Sequence, residues 1–190
     1  MKTPLFSVIV PVHNAAEYMR KGLDSIKAQE FGDYELIIVC DACEDDSEKI
    51  ARKYADKVIV GDWHNEGPAR NAGLDAATGD WVIWMDDDDW FVHEYAFAQI
   101  AERIGDYDQI RIGFLWKERG YTAPGDWIAV WAKVWRRAFI DRFRFGTDWP
   151  ADWPFYLEVQ KHPMKITHLD MPIYYYNYMR EGSQTWEHQS

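Results

Sequence analysis

Hydrophobic and polar stretches alternate in a regular way from the N-terminus to Phe91. The run "LFSVIVPV" (5–12) is short, apolar and β-branched, as a strand covered on both faces should be. Polar residues follow, with Asn14 and Glu17 spaced as in a capping box, and Met19, Leu23 and Ile26 then recur at helical spacing. The alternation repeats. "YELIIVC" (34–40) predicts a second strand, Ile50, Ala51 and Tyr54 a second helix, and "KVIVG" (57–61) a third strand. "EGPARNAGLDAATG" predicts a third helix, with Pro68 near its first turn and Gly79 past its end. "WVIWM" (81–85) predicts a fourth strand. Strands and helices in strict alternation imply an α/β architecture with a mostly parallel central sheet flanked by helices. Ligands of such sheets bind beyond the carboxyl ends of the strands, where this chain carries "PVHN", "CDAC" and "DDDD".

Beyond Phe91 the pattern changes. "HEYAFAQIAERIG" predicts a helix, "QIRIGFLW" a strand, and "GYTAPGDWIAVW" a turn followed by a strand. "KVWRRAFIDRF" and "DWPFYLEVQKH" read as helices, and "MKITHLD" and "PIYYYNY" as strands. No internal repeat or linker breaks the chain, so residues 1–190 are expected to form a single domain. Residues 1–91 would be a nucleotide-type half, and residues 92–190 an aromatic-rich second half.

Composition narrows the function. The chain is 47% hydrophobic and 28% charged, which fits a packed core. Its 21 basic and 32 acidic residues give a net charge of −11, which argues against nucleic acid as a partner, because phosphate binding needs a basic face. No run reaches the ~18 to 20 apolar residues of a transmembrane segment, and "MKTPLFSVIVPVHN" lacks a secretion-signal pattern. A cytoplasmic protein is expected. Cys40 and Cys43 form a C-x-x-C, read as two reduced thiols.

The strongest chemical signal is Asp86–Asp89, four carboxylates closing an apolar strand. Their mutual repulsion grows with burial, so a positive partner is expected. Alternate residues of an extended segment face the same way, which would direct Asp86 and Asp88 to one ligand and turn Asp87 and Asp89 elsewhere. Hard oxygen donors of this kind suit Mg²⁺ or Mn²⁺ shared with substrate phosphates.

Four pieces in order, "SVIVPVHNAAEYMRKGLDSI", "ELIIVCDACEDDSEKIA", "NEGPARNAGLDAATGDWVIWMDDDDW" and "VWAKVWRRAFI…ADWPF…PIYYYNYMREGSQ", resemble the GT-A glycosyltransferases of family 2. The resemblance covers nearly the whole chain. It implies a Rossmann-like GT-A fold, with residues 1–91 as the nucleotide-sugar-binding half and residues 92–190 as the half that carries the acceptor region and the catalytic base. It also implies an inverting, metal-dependent transfer of a sugar from a nucleotide-sugar, a UDP-sugar above all, to a glycan or lipid-linked acceptor, as in surface polysaccharide or glycoconjugate synthesis. Any membrane association would then be peripheral, through the acceptor or a partner. The aspartate run corresponds to the family's D-x-D element. Asp88 is then the direct ligand of Mn²⁺ or Mg²⁺ with Asp86 beside it, and Asp86 or Asp87 touches the ribose or a metal-bound water. Pro11, His13, Asn14 and Glu17 belong to the nucleotide-sugar end, together with Asp41, whose carboxylate suits the imide N–H of a uracil.

Arg70, in the first turns of the third helix, is placed to meet the nucleotide or the aspartates. Asp152 resembles the family's catalytic base, with Ala151 where the preceding Glu of a Glu-Asp pair would stand and Asp148 in reserve. Trp149 and Trp153 flank that base and are expected to meet the acceptor. Lys133, Arg136 and Arg180 are possible phosphate contacts, and His162, His168 and His188 have no metal-ligand spacing.

Structural readings stand beside these. Asp41 would be a turn or cap residue, Arg70 a salt bridge, Asp152 a helix N-cap, and most Trp residues core. Other functions are a sugar nucleotidyltransferase, which would need a Gly-rich basic loop where "PVHNAAEY" stands, and an NAD enzyme, which would need a G-x-G-x-x-G after the first strand. A catalytically degenerate nucleotide- or sugar-binding module is the remaining alternative.

Overall fold

The computed structural model describes residues 3–117 and 119–178. The expected alternation is present in the first half: β1 (Phe6–Val12), α1 (Met19–Lys27), β2 (Tyr34–Asp41), α2 (Ser47–Tyr54), β3 (Lys57–Gly61), α3 (Glu66–Ala76) and β4 (Trp81–Trp84). After it come β5 (Trp90–Phe91), α4 (Ala96–Glu102), β6 (Gln109–Trp116), β7 (Gly120–Thr122), a 3₁₀ turn (Val130–Ala132) and β8 (Lys133–Arg136). The chain then forms α5 (Arg137–Ile140), α6 (Asp152–Gln160) and β9 (Ile166–Tyr176). One sheet runs β3-β2-β1-β4-β8-β6-β9-β5, with β7 paired to β6. β1 pairs in parallel with both β2 and β4, and β2 with β3. β8 enters antiparallel between β4 and β6.

The two-residue period of the strands explains the two layers of core. Val8, Val10, Leu36 and Ile38 face one way and pack with Leu23, Ile26 and Ile50 of α1 and α2. Ile9, Ile37 and Val39 face the other way and pack with Ala69 and Leu74 of α3. Gly22 of α1 lies where any Cβ would strike the Asp89 backbone, so a glycine lets the helix press directly on the aspartate turn.

Several expectations for the chain change. Asn14 does not cap α1. It takes a left-handed φ of 48° and its Oδ1 accepts the Glu44 N–H at 2.8 Å, leaving α1 without a side-chain cap. The strand expected within 120–131 is β7 followed by a loop and the 3₁₀ turn, and the helix expected from Lys133 is strand β8 plus the short α5. β8 has only four residues, too few to display a period, and its pairing with β4 and β6 sets its state. The two late strands are one, β9. Cys40 and Cys43 are free thiols, in line with the expectation of two reduced cysteines.

At the far end of the sheet, Glu35 accepts hydrogen bonds from Ser7 Oγ (2.7 Å), Thr78 N (2.6 Å) and Thr78 Oγ1 (2.8 Å) and pairs with Lys57 (2.8 Å). Burial alone would raise its pKa, but these donors outweigh it and hold the carboxyl down to about 2. The contribution is present above the unfolded carboxylate pKa and lost as pH falls toward the folded value. Glu35→Ala is expected to cost about 1–3 kcal/mol at neutral pH. Urea melts should show that deficit shrinking between pH 4.5 and pH 3.

Candidate active site

Because β2, β1 and β4 are parallel neighbours, their carboxyl ends stand in a row. Asp41 ends β2, Pro11 and His13 flank the end of β1, and Asp86–Asp89 follow β4. The loops leaving β1, β2 and β3 each contain a non-glycine residue in the left-handed region, Asn14 (48°), Ala42 (46°) and His64 (49°). Strain of this kind concentrates at functional sites.

These strand ends open into a cavity of about 790 Å³. Its wall includes Pro11, His13, Asp41, Arg70, Asp86, Asp87, Asp88, Trp149 and Asp152, so most of the residues singled out from the sequence share one space. Asn14 and Glu17 are exposed and lie off the wall, as are Asp148 and Trp153. Arg136 belongs to the opposite end of the sheet, where it donates to the Tyr107 and Gly105 carbonyls and lies over the Trp81 ring. Lys133 is buried, its Nζ donating to the carbonyls of Trp127 and Ala129 beneath a cavity loop, so it supports that loop instead of facing a phosphate. Arg180 and His188 lie outside the described residues.

The Asp86–Asp89 segment is a turn, closed by the Asp89 N–H on the Asp86 carbonyl at 3.2 Å. Turn geometry replaces the expected alternation, and Asp86, Asp87 and Asp88 all reach the cavity. Only Asp89 turns inward, where its Oδ1 accepts the Asn177 N–H at 2.7 Å and burial lifts its pKa well above the usual carboxylate range. Tyr174 joins the two ends of this turn, its hydroxyl hydrogen-bonded to Asp89 and accepting the Asp86 N–H at 3.1 Å.

Asp41 takes both structural and lining roles. Its Oδ1 accepts the N–H groups of Trp63 (2.6 Å) and His64 (3.0 Å), and its Oδ2 accepts that of Asn65 (2.7 Å). Asn65 then caps α3 by accepting the Gly67 N–H at 3.0 Å. The Asp41 carboxylate thus sets where α3 begins, and with it the cavity-facing pair Glu66 and Arg70, four residues apart. His13 Nδ1 donates to the Asp41 carbonyl at 2.7 Å, and its backbone N–H reaches Asp87 Oδ2 at 3.3 Å.

Arg70 is the expected positive partner of the aspartates. Its side chain is 4% exposed, with Nη2 on Asp86 Oδ1 (3.1 Å) and Nη1 on both Asp152 Oδ1 (2.9 Å) and Glu66 Oε2 (3.1 Å). Burial disfavours the guanidinium's charge, but Asp152, Glu66 and Asp86 together raise its pKa further above its ordinary value. The carboxylates respond to the same surroundings. Burial, against the pull of Arg70, pushes Asp86 up to about 7, with Asp152, Glu66 and Asp88 adding to the rise. Burial likewise raises Asp152, opposed by Arg70 and reinforced by Glu66.

Asp152 is the first residue of α6, and its side chain does not cap that helix. Oδ2 accepts the Val130 N–H at 3.0 Å. Phe155, one turn on, stacks on Phe145 at 3.9 Å and meets Trp84 edge-on, fixing α6 against β4.

Asp86, Asp87 and Asp88 offer oxygen donors only, and among the described residues no three acidic, His or Cys side chains close into a ligand cage. An open, all-carboxylate set fits a Mn²⁺ or Mg²⁺ that completes its shell with phosphate oxygens and water.

Trp116, Trp127 and Trp131, expected from the sequence to be core with most of the Trp residues, line the cavity, and with them Tyr176 and Asp126, which the sequence did not single out. They arrive from β6, β9 and the loop before β8, far apart in the chain, and no local spacing joins them. Glu66 was missed as well, and the one signal for it in the sequence is its i,i+4 spacing to Arg70.

Among proteins of known sequence, EpsH of Bacillus subtilis is 26% identical over 212 residues, a match that covers 93% of this chain and 61% of that protein. Among solved structures, residues 1–349 of S. aureus TarS in complex with UDP-GlcNAc superpose with a TM-score of 0.82 at 25% identity, over 95% of this chain and 60% of that one. The mannosyltransferase PcManGT of Pyrobaculum calidifontis, in complex with GDP-Man and Mn²⁺, shares the fold with a TM-score of 0.76 at 18% identity, over 97% of this chain and 60% of that one. The chain therefore spans about 60% of the length of these relatives. The family model for glycosyl transferase family 2 matches residues 7–147. With that match, a GT-A architecture and a cavity at the carboxyl ends of β1, β2 and β4, the chain belongs to glycosyl transferase family 2.

Proposed function

We propose that this chain transfers a sugar, with inversion, from a UDP-sugar to a hydroxyl of a glycan or lipid-linked acceptor, with Mn²⁺ or Mg²⁺ as cofactor. The observation that carries the reading is a single cavity in which the aspartate turn after β4 and Asp152 at the head of α6 are joined through Arg70. The UDP-GlcNAc complex of TarS supports the donor class, and the Mn²⁺ complex of PcManGT supports the cofactor.

Pro11, His13 and Asp41 form the nucleobase end. Asp88 would hold the cation, and Asp87, through the His13 N–H, ties that turn to the base end. A bound Mn²⁺ or Mg²⁺ would neutralise the charge of the departing diphosphate. Asp152 takes the proton from the attacking hydroxyl as the oxygen approaches the anomeric carbon from the side opposite the diphosphate. Each Asp152 oxygen accepts one hydrogen bond from the protein, which leaves lone pairs for the acceptor. The indoles of Trp127 and Trp149 give the acceptor sugar flat apolar faces.

The test is release of nucleoside diphosphate from a panel of UDP- and GDP-sugars with Mn²⁺, with and without simple glycoside acceptors. Turnover of at least one UDP-sugar is expected. Tight binding with no turnover of any donor would favour a binding module, and no binding at all would overturn the reading.

A further inference from the structure

Glu66 is absent from the roles above, yet its position is specific. It opens α3, lines the cavity with a side chain 23% exposed, and reaches two groups at once. Its Oε2 lies 3.1 Å from Arg70 Nη1, the nitrogen that also binds Asp152. Its Oε1 accepts the Ala151 N–H at 3.1 Å, at the start of α6. Ala151 is buried, has no side chain to cap that helix, and immediately precedes Asp152.

We propose that Glu66 supplies from α3 the carboxylate that position 151 lacks, positioning Asp152 as a base by gripping the head of α6 and sharing the charge of Arg70. The inference rests on the reading of Asp152 as that base. One guanidinium faces three carboxylates. With Glu66 present, the positive charge is divided and Asp152 retains enough proton affinity to accept a proton from a hydroxyl. Without it, Arg70 would serve Asp86 and Asp152 alone and weaken Asp152 as a base. The direction agrees with the raised pKa of Asp152, to which Glu66 contributes. The other charged groups that face Asp152 are Lys133 of β8, which works in the direction of Arg70, and Asp86. Glu66 does not touch the acceptor in this arrangement and is a positioning residue.

The test is a ¹³C-carboxyl NMR titration of Asp152 in the metal-free protein, its signal assigned by its loss in Asp152→Asn. Glu66→Gln keeps the side chain's shape and removes its charge. The Asp152 midpoint is expected to fall by about one unit, and Glu66→Gln/Ala151→Glu is expected to restore it. Glu66→Asp keeps the charge and is expected to hold the midpoint near that of the wild type. An unchanged midpoint in folded Glu66→Gln, or an equal fall in Glu66→Asp, would overturn the inference. Should Glu66→Gln fail to fold, Glu66→Asp decides alone, a retained midpoint supporting the inference and a fall overturning it. The titration needs no donor, so its failure is separate from a failure of the transferase reading, which the nucleotide-sugar panel detects.

Discussion

Replacing Asp152 with asparagine is expected to leave UDP-sugar binding intact and to lower sugar transfer about 10²- to 10⁴-fold, the scale of a lost general base. Asparagine keeps the size of the side chain, and its carbonyl oxygen can still accept from Arg70 or from the Val130 N–H. What disappears is the ability to take a proton. The pH profile separates this from a packing defect. In the wild type, transfer should fall as pH drops through the Asp152 pKa, which burial and Glu66 hold above the usual carboxylate value. In Asp152→Asn that acidic limb should vanish from the residual rate. A variant with normal transfer would move the base elsewhere, and one with lost donor binding would make Asp152 a structural residue. Steady-state kinetics across pH, with calorimetric binding of the donor, distinguishes these outcomes.

Arg70→Met is expected to be the most destabilising single change in the site, by about 3–5 kcal/mol near neutral pH, because it strands buried carboxylates without their cation. Methionine fills much of the volume beside Phe145, over which the guanidinium lies, so the loss is mainly electrostatic. The pH dependence has a definite sign. Without Arg70, the folded-state pKa values of Asp86 and Asp152 rise further above their unfolded values. Groups raised in this way favour the folded state at low pH and lose that contribution as pH rises through the folded pKa. The deficit of Arg70→Met should therefore be smaller at pH 5 than at pH 7.5. Urea melts at the two pH values measure it, and an equal deficit at both would mean that Arg70 acts by packing alone.

The first half of the fold was legible because each strand is an apolar run, α1 and α2 carry period-spaced apolar residues, and α3 is bracketed by Pro68 and Gly79. β1, β2, β3 and α3 follow the sequence pattern closely. The site was legible in part because parallel strands deliver their carboxyl ends to one edge, which brought Asp41, His13 and the aspartates together without any knowledge of loops. Asn14 misled because the sequence shows a capping residue but not its left-handed backbone, which turns the side chain toward Glu44. The aspartates misled because a β-turn and an extended strand end look alike in a run of identical residues. Lys133 and Arg136 misled because a basic residue near a strand end reads the same whether it faces the site, supports a loop from beneath, or lies at the opposite edge.

Arg70 shows the opposite case. Its salt-bridge reading and its functional reading describe one arrangement, since the ion pairs that neutralise it are those that align Asp86 with Asp152. No helix among the described residues is long and apolar enough to cross a membrane.

The central claim is that the aspartate turn after β4 grips a nucleoside diphosphate through a divalent cation. Calorimetric titration of UDP into the protein, with Mn²⁺ and with chelator, in the wild type and in Asp88→Ala, tests it most directly. The account predicts binding in the wild type that strengthens sharply with Mn²⁺, and no such Mn²⁺ effect in a folded Asp88→Ala. Equal Mn²⁺-dependent affinity in both proteins would contradict it.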